Sequence, residues 1–128
     1  MQIENPYAEE AKERWGHTDA YQESAKRLKN YTPEDIELAK KAMSEATLEI
    51  IDAMKAGLPS DSPEAMAGAE AHRASISDWW YECSYDMHTN LAAMYIADER
   101  FTKTYEDMEP GLAQYVHDAI YANAIAKS

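Results

Sequence analysis

The stretch ISDWWYECSYDMHTNLAAMYIADERF, residues 76–101, concentrates the rarest side chains of the protein. It holds two of the three tryptophans, the only cysteine, the only phenylalanine and one of the four histidines. Ser84 is a plausible N-cap within it. Apolar residues at helical spacing mark one side of the helix that follows, namely Met87, Leu91, Met94 and Tyr95. The stretch therefore predicts helices that carry an unusual group of aromatic and sulfur-bearing side chains.

Two strong helix starts lie on its N-terminal side. Thr32 is an N-cap followed by Pro33 at the first helical position and by acidic residues, and Ser62 is followed by Pro63 in the same way. The first of these helices has an apolar stripe at 3.6-residue spacing and should end at Gly57; the second should continue to about residue 81. The stripe consists of Ile36, Ala39, Met43, Ala46, Ile50 and Met54, and is widened by Leu48 and Ile51.

The remaining segments also favour helices. Residues 109–111, Glu-Pro-Gly, open a last helix, and residues 98–105 form a connecting helix or turn. Residues 6–16 and 18–30 suit two short, charge-rich helices, which are marginal unless packing stabilises them. We therefore predict an all-α domain of six to seven helices, with a conditionally ordered N-terminal lid at residues 1–31 and a helical core at residues 32–128.

Charge and hydropathy exclude several function classes. The formal net charge is -12, because 24 acidic residues face 12 basic ones, so the chain should repel nucleic acid and anionic membranes. Its apolar runs are too short to span a bilayer, and the first residues do not resemble a signal peptide. A lone cysteine fits a reducing compartment. We expect a soluble, cytoplasmic protein.

The histidines and the cysteine do not form a recognisable metal or catalytic motif. His17, His72, His88 and His117 lack the i, i+4 spacing of a helical zinc site, and no CxxC is present. His72, Cys83 and His88 can converge on adjoining helices, but the simpler interpretation is a set of core side chains with one hydrogen bond each. Cys83 has a histidine within possible reach but no oxyanion loop or signature around it. We predict no metal, no cofactor and no enzyme.

The aromatic residues favour a binding pocket. The chain has 3 Trp and 9 Tyr, and Trp79, Trp80 and Tyr81 are consecutive. Successive helical residues diverge by about 100°, so these three cannot all face one core. One of the two tryptophans should face a cleft or the surface, where rigid aromatic walls suit small molecules. The alternative is that the aromatic side chains simply fill a helical core.

Three segments together resemble a known family. They are NPYAEEAKERWGHTDAYQES (5–24), AHRASISDWWYECSYDMHTNLAAMYIADERF (71–101) and PGLAQYVHDAIYANA (110–124). In this order they are similar to the TipAS domain, the effector-recognition domain of a subfamily of MerR-type transcriptional regulators. The similarity covers nearly the whole chain.

The resemblance implies a globin-like helical fold without haem and a cleft that binds thiopeptide antibiotics or other bulky apolar drugs. It also implies an N-terminal segment that folds over the ligand, and in the best-known member a cysteine adds to a dehydroamino acid of the antibiotic. Cys83 is the candidate here for such covalent attachment. DNA binding would come from a helix-turn-helix domain and dimerisation from a coiled coil, and this chain begins after both. It would be either part of such a regulator or a stand-alone form that sequesters drug.

We therefore expect a ligand-sensing domain whose contacts come from the lid and from the cleft walls. The expected ligand-binding residues are Trp15, Tyr21, His72, Ile76, Trp79, Trp80, Cys83, Met87, His88 and Leu91. Two alternatives from other classes are a haem or metal protein, with His72 or His88 as axial ligand, and a module whose exposed aromatic side chains bind a partner helix.

Overall fold

A computed structural model describes residues 18–127, and this part of the chain forms six α-helices. The predicted helix at residues 6–16, together with Trp15 and His17, lies outside the described residues. The helices are α1 (Asp19–Leu28), α2 (Pro33–Lys55), α3 (Pro63–Trp79), α4 (Tyr85–Ala97), α5 (Glu99–Met108) and α6 (Leu112–Lys127). The all-α prediction is confirmed.

Side-chain caps begin the helices where the sequence predicted them. The hydroxyls of Thr18, Ser62 and Ser84 each accept a hydrogen bond from the backbone N–H three residues on. Thr32 and Asp35 form a full capping box, in which each side chain accepts from the other's backbone N–H. Since the first N–H groups of a helix have no partner within it, these oxygens fix the starting residues.

Helix α6 lies at the centre of the core and contacts α2, α3, α4 and α5. Its inner face carries Leu112, Val116, Ala119 and Ile120, all fully buried. The largest helix–helix interface joins α2 to α3. Helix α1 differs from the others because it has no buried residue.

The structure corrects several details of the predicted faces. The buried side of α4 consists of His88, Ala92 and Tyr95, whereas Met87 and Leu91 are half-buried at its edge. Tyr95 is buried as predicted, but His88 and Ala92 take the core positions expected for Met87 and Leu91, because the core accepts a histidine where the hydropathy pattern favoured methionine. Leu48 was also wrongly assigned to the core, since 55% of its surface is exposed.

Two helix boundaries differ from the predicted ones. Helix α3 ends at Trp79 rather than near residue 81. The segment from residue 98 is a complete helix, α5, because the Asp98 side chain accepts from the Arg100 backbone N–H and begins it. Within residues 18–127 we find no helix with the length and apolar character that crossing a bilayer demands.

Candidate functional site

Two histidines from different helices meet in the core. His72 on α3 and His88 on α4 are 1% and 0% exposed, and His72 Nδ1 lies 2.9 Å from His88 Nε2. The other ring nitrogen of His72, Nε2, lies 3.3 Å from the hydroxyl oxygen of Tyr105 on α5. A chain of hydrogen bonds therefore joins α3, α4 and α5. We call His72 and His88 the histidine pair.

Burial keeps the histidine pair neutral. Desolvation lowers the pKa of His72 from 6.5 to about 4. It also lowers the pKa of His88 to about 3, with a smaller contribution from the neighbouring His72. His88 Nδ1 has no hydrogen-bond partner among the described residues. Leaving this nitrogen as an unpaired acceptor costs less free energy than leaving it as an unpaired N–H donor. We therefore assign the proton of His88 to Nε2, which donates to His72 Nδ1, and the proton of His72 to Nε2, which donates to the Tyr105 hydroxyl.

The histidine pair forms a hydrogen bond rather than the frame of a metal site. A tetrahedral zinc ion with two Zn–N bonds of about 2.0–2.1 Å would hold the nitrogens roughly 3.3 Å apart, which is wider than the 2.9 Å observed. The described residues 18–127 contain no group of three or more His, Cys, Asp or Glu side chains placed to hold a metal ion.

Cys83 lies in the short link between α3 and α4, and two α3 side chains hold its backbone. The Cys83 N–H donates to the Ser77 hydroxyl at 2.9 Å, and Arg73 Nη1 donates to the Cys83 carbonyl at 2.7 Å. The side chain is a free thiol with no exposed surface. Burial raises the pKa of the thiol to about 11, so in this conformation Cys83 is a poor nucleophile.

Arg73 is also the centre of a polar cluster. It forms a two-pronged ion pair with Glu70 on the same helix and lies over the Tyr85 ring, 4.4 Å from its centroid. Glu70 in turn accepts from the buried Asn123 on α6 at 3.0 Å. The hydrogen bond from Arg73 is the main reason that the pKa of Glu70 falls to about 2. The cluster joins α3, α4, α6 and the Cys83 backbone.

An aromatic edge is formed at the C-terminal end of α3 by Tyr31, Trp79 and Trp80. The Tyr31 ring meets both tryptophans edge-on, with centroids 5.7 and 6.3 Å away. Its hydroxyl donates to the Trp79 carbonyl. All three side chains are half-buried, so both tryptophans, and not one as predicted, lie outside the enclosed core.

Helix α1 docks beside this aromatic edge. Arg27 Nη1 donates to the Ser77 carbonyl at 2.8 Å, and the same guanidinium pairs with Glu23. The last carbonyls of a helix have no partner within it. Arg27 of α1 supplies a donor for one of them, and Tyr31, in the link after α1, supplies a donor for another. Tyr31 and Arg27 were missed at the level of sequence, because nothing local to residues 27–31 reveals a contact with residues 77–79.

The structure brings most of the predicted site residues to the region where α3 meets α4. His72, Ile76, Cys83 and His88 are buried there. Trp79, Trp80, Met87 and Leu91 are half-buried, as is Tyr21 on α1. Two surface depressions, of about 790 and 810 Å³, lie along α2 and α1. Of the predicted residues, only Tyr21 lines either of them.

The comparisons with known proteins agree with this architecture. The family model of the TipAS antibiotic-recognition domain matches residues 7–123. The HTH-type transcriptional activator TipA of Streptomyces coelicolor is 47% identical over 119 residues, covering 93% of this chain and 47% of that protein. The HTH-type transcriptional activator mta of Bacillus subtilis is 32% identical, covering 89% of this chain and 43% of its own length. The chain thus spans less than half the length of these curated relatives.

Two solved structures are similar as well. TipAS of Streptomyces lividans in complex with nosiheptide, from a thiopeptide antibiotic multidrug resistance system, matches with a TM-score of 0.88 and 46% identity over 95% of this chain and 85% of that one. The antibiotic binding domain of a TipA-class multidrug resistance transcriptional regulator matches with a TM-score of 0.65 and 44% identity over 70% of this chain and 96% of that one. The helical arrangement is the globin-like one that the resemblance implied. The chain belongs to the TipAS antibiotic-recognition domain family.

Proposed function

We propose that this chain is the ligand-sensing domain of a transcriptional activator and that it binds a thiopeptide-like antibiotic, or another bulky apolar drug, in a cleft between helices. The observation that carries the proposal is the match, over 95% of the chain, to TipAS in complex with nosiheptide. The half-buried aromatic edge of Tyr31, Trp79 and Trp80 supports it, because rigid rings with polar tips form good walls for such ligands.

The proposed cleft lies between α1 and the region where α3 meets α4. Its walls are the half-buried side chains of that region, and its floor is the buried set around the histidine pair. We assign Tyr21, Trp79, Trp80, Met87 and Leu91 to the walls and His72, Ile76, Cys83 and His88 to the floor. Trp15, which lies outside the described residues, stays a predicted lid residue. Residues 1–31 are the proposed lid and residues 32–128 the core. The lid gains order from the ligand, which fits an α1 that buries no residue of its own.

Titration with nosiheptide tests ligand binding. We expect a saturable change in tryptophan fluorescence and slower amide exchange in residues 18–31. Trp80→Leu should weaken binding by about tenfold, as the loss of an aromatic contact at the centre of a site does. Tyr121→Leu, an exposed aromatic residue on α6, is the matched control and should bind like the wild type. The proposed cleft is wrong if Trp80→Leu binds as tightly as Tyr121→Leu.

We further propose Cys83 as the site of covalent attachment for ligands that carry a dehydroalanine. The Cys83 thiolate would add to the β-carbon, the double-bond electrons would move to the α-carbon, and that carbon would take up a proton. No group leaves, so the adduct mass is the sum of protein and ligand. Because the thiol is buried, the link between α3 and α4 must open first. Intact-mass spectrometry should show the adduct on the wild type and not on Cys83→Ser; an adduct on both, or on neither, rejects the assignment.

In the full-length regulator we propose that this domain binds ligand rather than DNA and that it acts in the cytoplasm. The curated relatives are HTH-type transcriptional activators, and the net charge of this chain is -12, which opposes binding to a phosphate backbone. DNA contact and homodimerisation through a coiled coil are assigned to other parts of such a regulator. The chain alone should not retard a DNA fragment at low salt, and it should be monomeric by light scattering.

A further inference from the structure

The histidine pair leaves one buried polar atom without a partner. His88 has no exposed surface, and its Nε2 lies 2.9 Å from His72 Nδ1. Its other ring nitrogen, Nδ1, has no hydrogen-bond partner among the described residues. Such atoms are rare in folded proteins, because leaving a buried polar atom unpaired costs free energy. The bond to His72 therefore explains one ring nitrogen of His88 and leaves the other unexplained.

The hydrogen bonds along the pair make this unpartnered nitrogen an acceptor. His72 Nε2–H donates to the hydroxyl oxygen of Tyr105, which lies 3.3 Å away, so His72 Nδ1 accepts the proton of His88 Nε2. A neutral imidazole carries one N–H, so His88 Nδ1 keeps a lone pair and no hydrogen. Burial lowers the pKa of His88 to about 3, and the ring therefore stays neutral at physiological pH.

His88 lies directly behind the link that carries Cys83. Its backbone N–H donates at 2.9 Å to the carbonyl of Ser84, the residue that caps α4. Met87 precedes it and Leu91 lies one turn further along α4, and both are half-buried. Attachment of a ligand to Cys83 requires this link to open, and the same opening would uncover His88 in the first turns of α4.

We propose that His88 Nδ1 accepts a hydrogen bond from an N–H or O–H group of the bound ligand, and that this bond selects ligands with such a donor over apolar molecules of the same shape. His72 is the positioning residue, because it holds the His88 proton on Nε2. A thiopeptide supplies amide N–H groups, as any peptide does. A site that buries a polar group discriminates strongly against ligands that lack the matching partner. The inference rests on the proposed cleft and names the ligand chemistry at its floor.

Nitrogen NMR of the histidine rings, recorded with and without nosiheptide, tests this contact directly. The chemical shift of an imidazole nitrogen reports whether it carries a proton and whether it accepts a hydrogen bond. In the ligand-free protein at neutral pH we expect His88 Nδ1 to be unprotonated and Nε2 to be protonated. Saturation with nosiheptide should move the Nδ1 resonance upfield, as a new hydrogen bond to this nitrogen does. The resonances of His117 on α6 should stay in place.

Two substitutions at position 88 separate the roles of the two ring nitrogens. His88→Gln keeps an amide N–H for His72 but has no acceptor at the place of Nδ1, so nosiheptide should bind about fivefold more weakly, as expected for one neutral hydrogen bond. His88→Asn puts an amide oxygen near the place of Nδ1 and loses the bond to His72. Its Tm should fall, while its affinity for nosiheptide should stay within about twofold of the wild type. His117→Gln is the control and should change neither quantity.

The outcomes separate this inference from the proposed function. A His88 Nδ1 resonance that does not move when nosiheptide saturates the protein overturns the inference and leaves the cleft standing. A protonated Nδ1 in the ligand-free protein overturns it as well, and so does equal affinity of His88→Gln and His88→Asn for nosiheptide. If nosiheptide does not bind the wild type at all, both proposals fall.

Discussion

At the scale of single residues, the most unusual feature is a neutral histidine pair in the place where a helical core normally holds aliphatic side chains. His72 and His88 join α3 to α4 in the buried core by a side-chain hydrogen bond of 2.9 Å. Burying a neutral pair costs little free energy, because the N–H of one ring donates to the nitrogen of the other. Burying a single charged ring would cost much more. The pair therefore defines how α3 and α4 meet, provided that it stays unprotonated.

This dependence predicts loss of stability in mild acid. The folded pKa of His72 is lowered from 6.5 to about 4, so between these values the unfolded chain binds more protons than the folded one. The stability that neutral His72 contributes to the fold is fully present above pH 6.5 and is lost as the pH falls. At pH 5 the loss for His72 alone is on the order of 2 kcal/mol. The Tm should fall by roughly 5–10 °C between pH 7.5 and pH 5.

Variants assign the acid effect to the histidine pair. The double variant His72→Gln and His88→Gln should have a lower Tm at pH 7.5 but a smaller drop on going to pH 5. His117→Gln, at a partly exposed site beside Asp118, should keep the full drop. The effect of Glu70 is separate, because its pKa is lowered from 4.5 to about 2 and its contribution is lost only below pH 4.5. An unchanged Tm of the wild type between pH 7.5 and pH 5 would contradict the role of the pair.

At the scale of elements, the close crossing of α2 and α3 depends on Gly68. A Cβ at this position would lie 2.7 Å from Ile50 Cγ1 and 3.1 Å from the Ile50 backbone N. Ile50 is fully buried, so it has little room to move. The absence of a side chain at residue 68 lets the two longest helices approach each other.

Gly68→Ala sets two effects against each other. Alanine is favoured over glycine in a helix by about 1 kcal/mol, but overpacking a core typically costs about 1–3 kcal/mol. Because one of the close contacts is to backbone, we expect the steric cost to exceed the gain and the Tm to fall. Ala67→Gly, at an exposed position on the same helix, is the control: its change in Tm measures the difference in helix propensity between alanine and glycine without a steric effect. A Tm of Gly68→Ala above that of the wild type would show that the crossing can relax.

Helix starts could be predicted from the sequence because their causes are local. Thr18, Thr32, Ser62 and Ser84 lie within three residues of the N–H groups that they cap. The face of α4 could not be placed as well, since hydropathy ranks Met87 above His88. His88 is buried because His72, on another helix, offers it a hydrogen bond.

The sequence indicated which residues belong to the candidate site but not which of them contact one another. The cluster of rare residues at 76–101 includes the link between α3 and α4 and the two tryptophans at the end of α3. Its links to Arg27, Tyr31 and Asn123 are tertiary contacts between residues far apart in sequence, and no local pattern indicates them. Cys83 is a second example. Its residue type suggested a reactive thiol, whereas tertiary packing buries the side chain.

At the scale of the whole molecule, the charge of -12 is spread over a domain whose ion pairs are mostly exposed. Pairs such as Lys40–Glu37 and Lys103–Asp107 lie at the surface within single helices, where each contributes about 0–1 kcal/mol. Salt weakens these attractions, but it also screens the repulsion among the excess carboxylates. Since acidic residues outnumber basic ones by 24 to 12, the repulsion should dominate.

We therefore expect the Tm to rise when sodium chloride is increased from low to near-physiological concentration at pH 7.5. Relief of 1 kcal/mol of repulsion corresponds to about 3–5 °C for a domain of this size. Asp52→Lys, at an exposed site on α2, changes the net charge from -12 to -10 and should reduce the slope of Tm against salt. If Tm falls with salt, or if the slope is the same in the variant, the local ion pairs rather than the net charge govern the electrostatic stability of the domain.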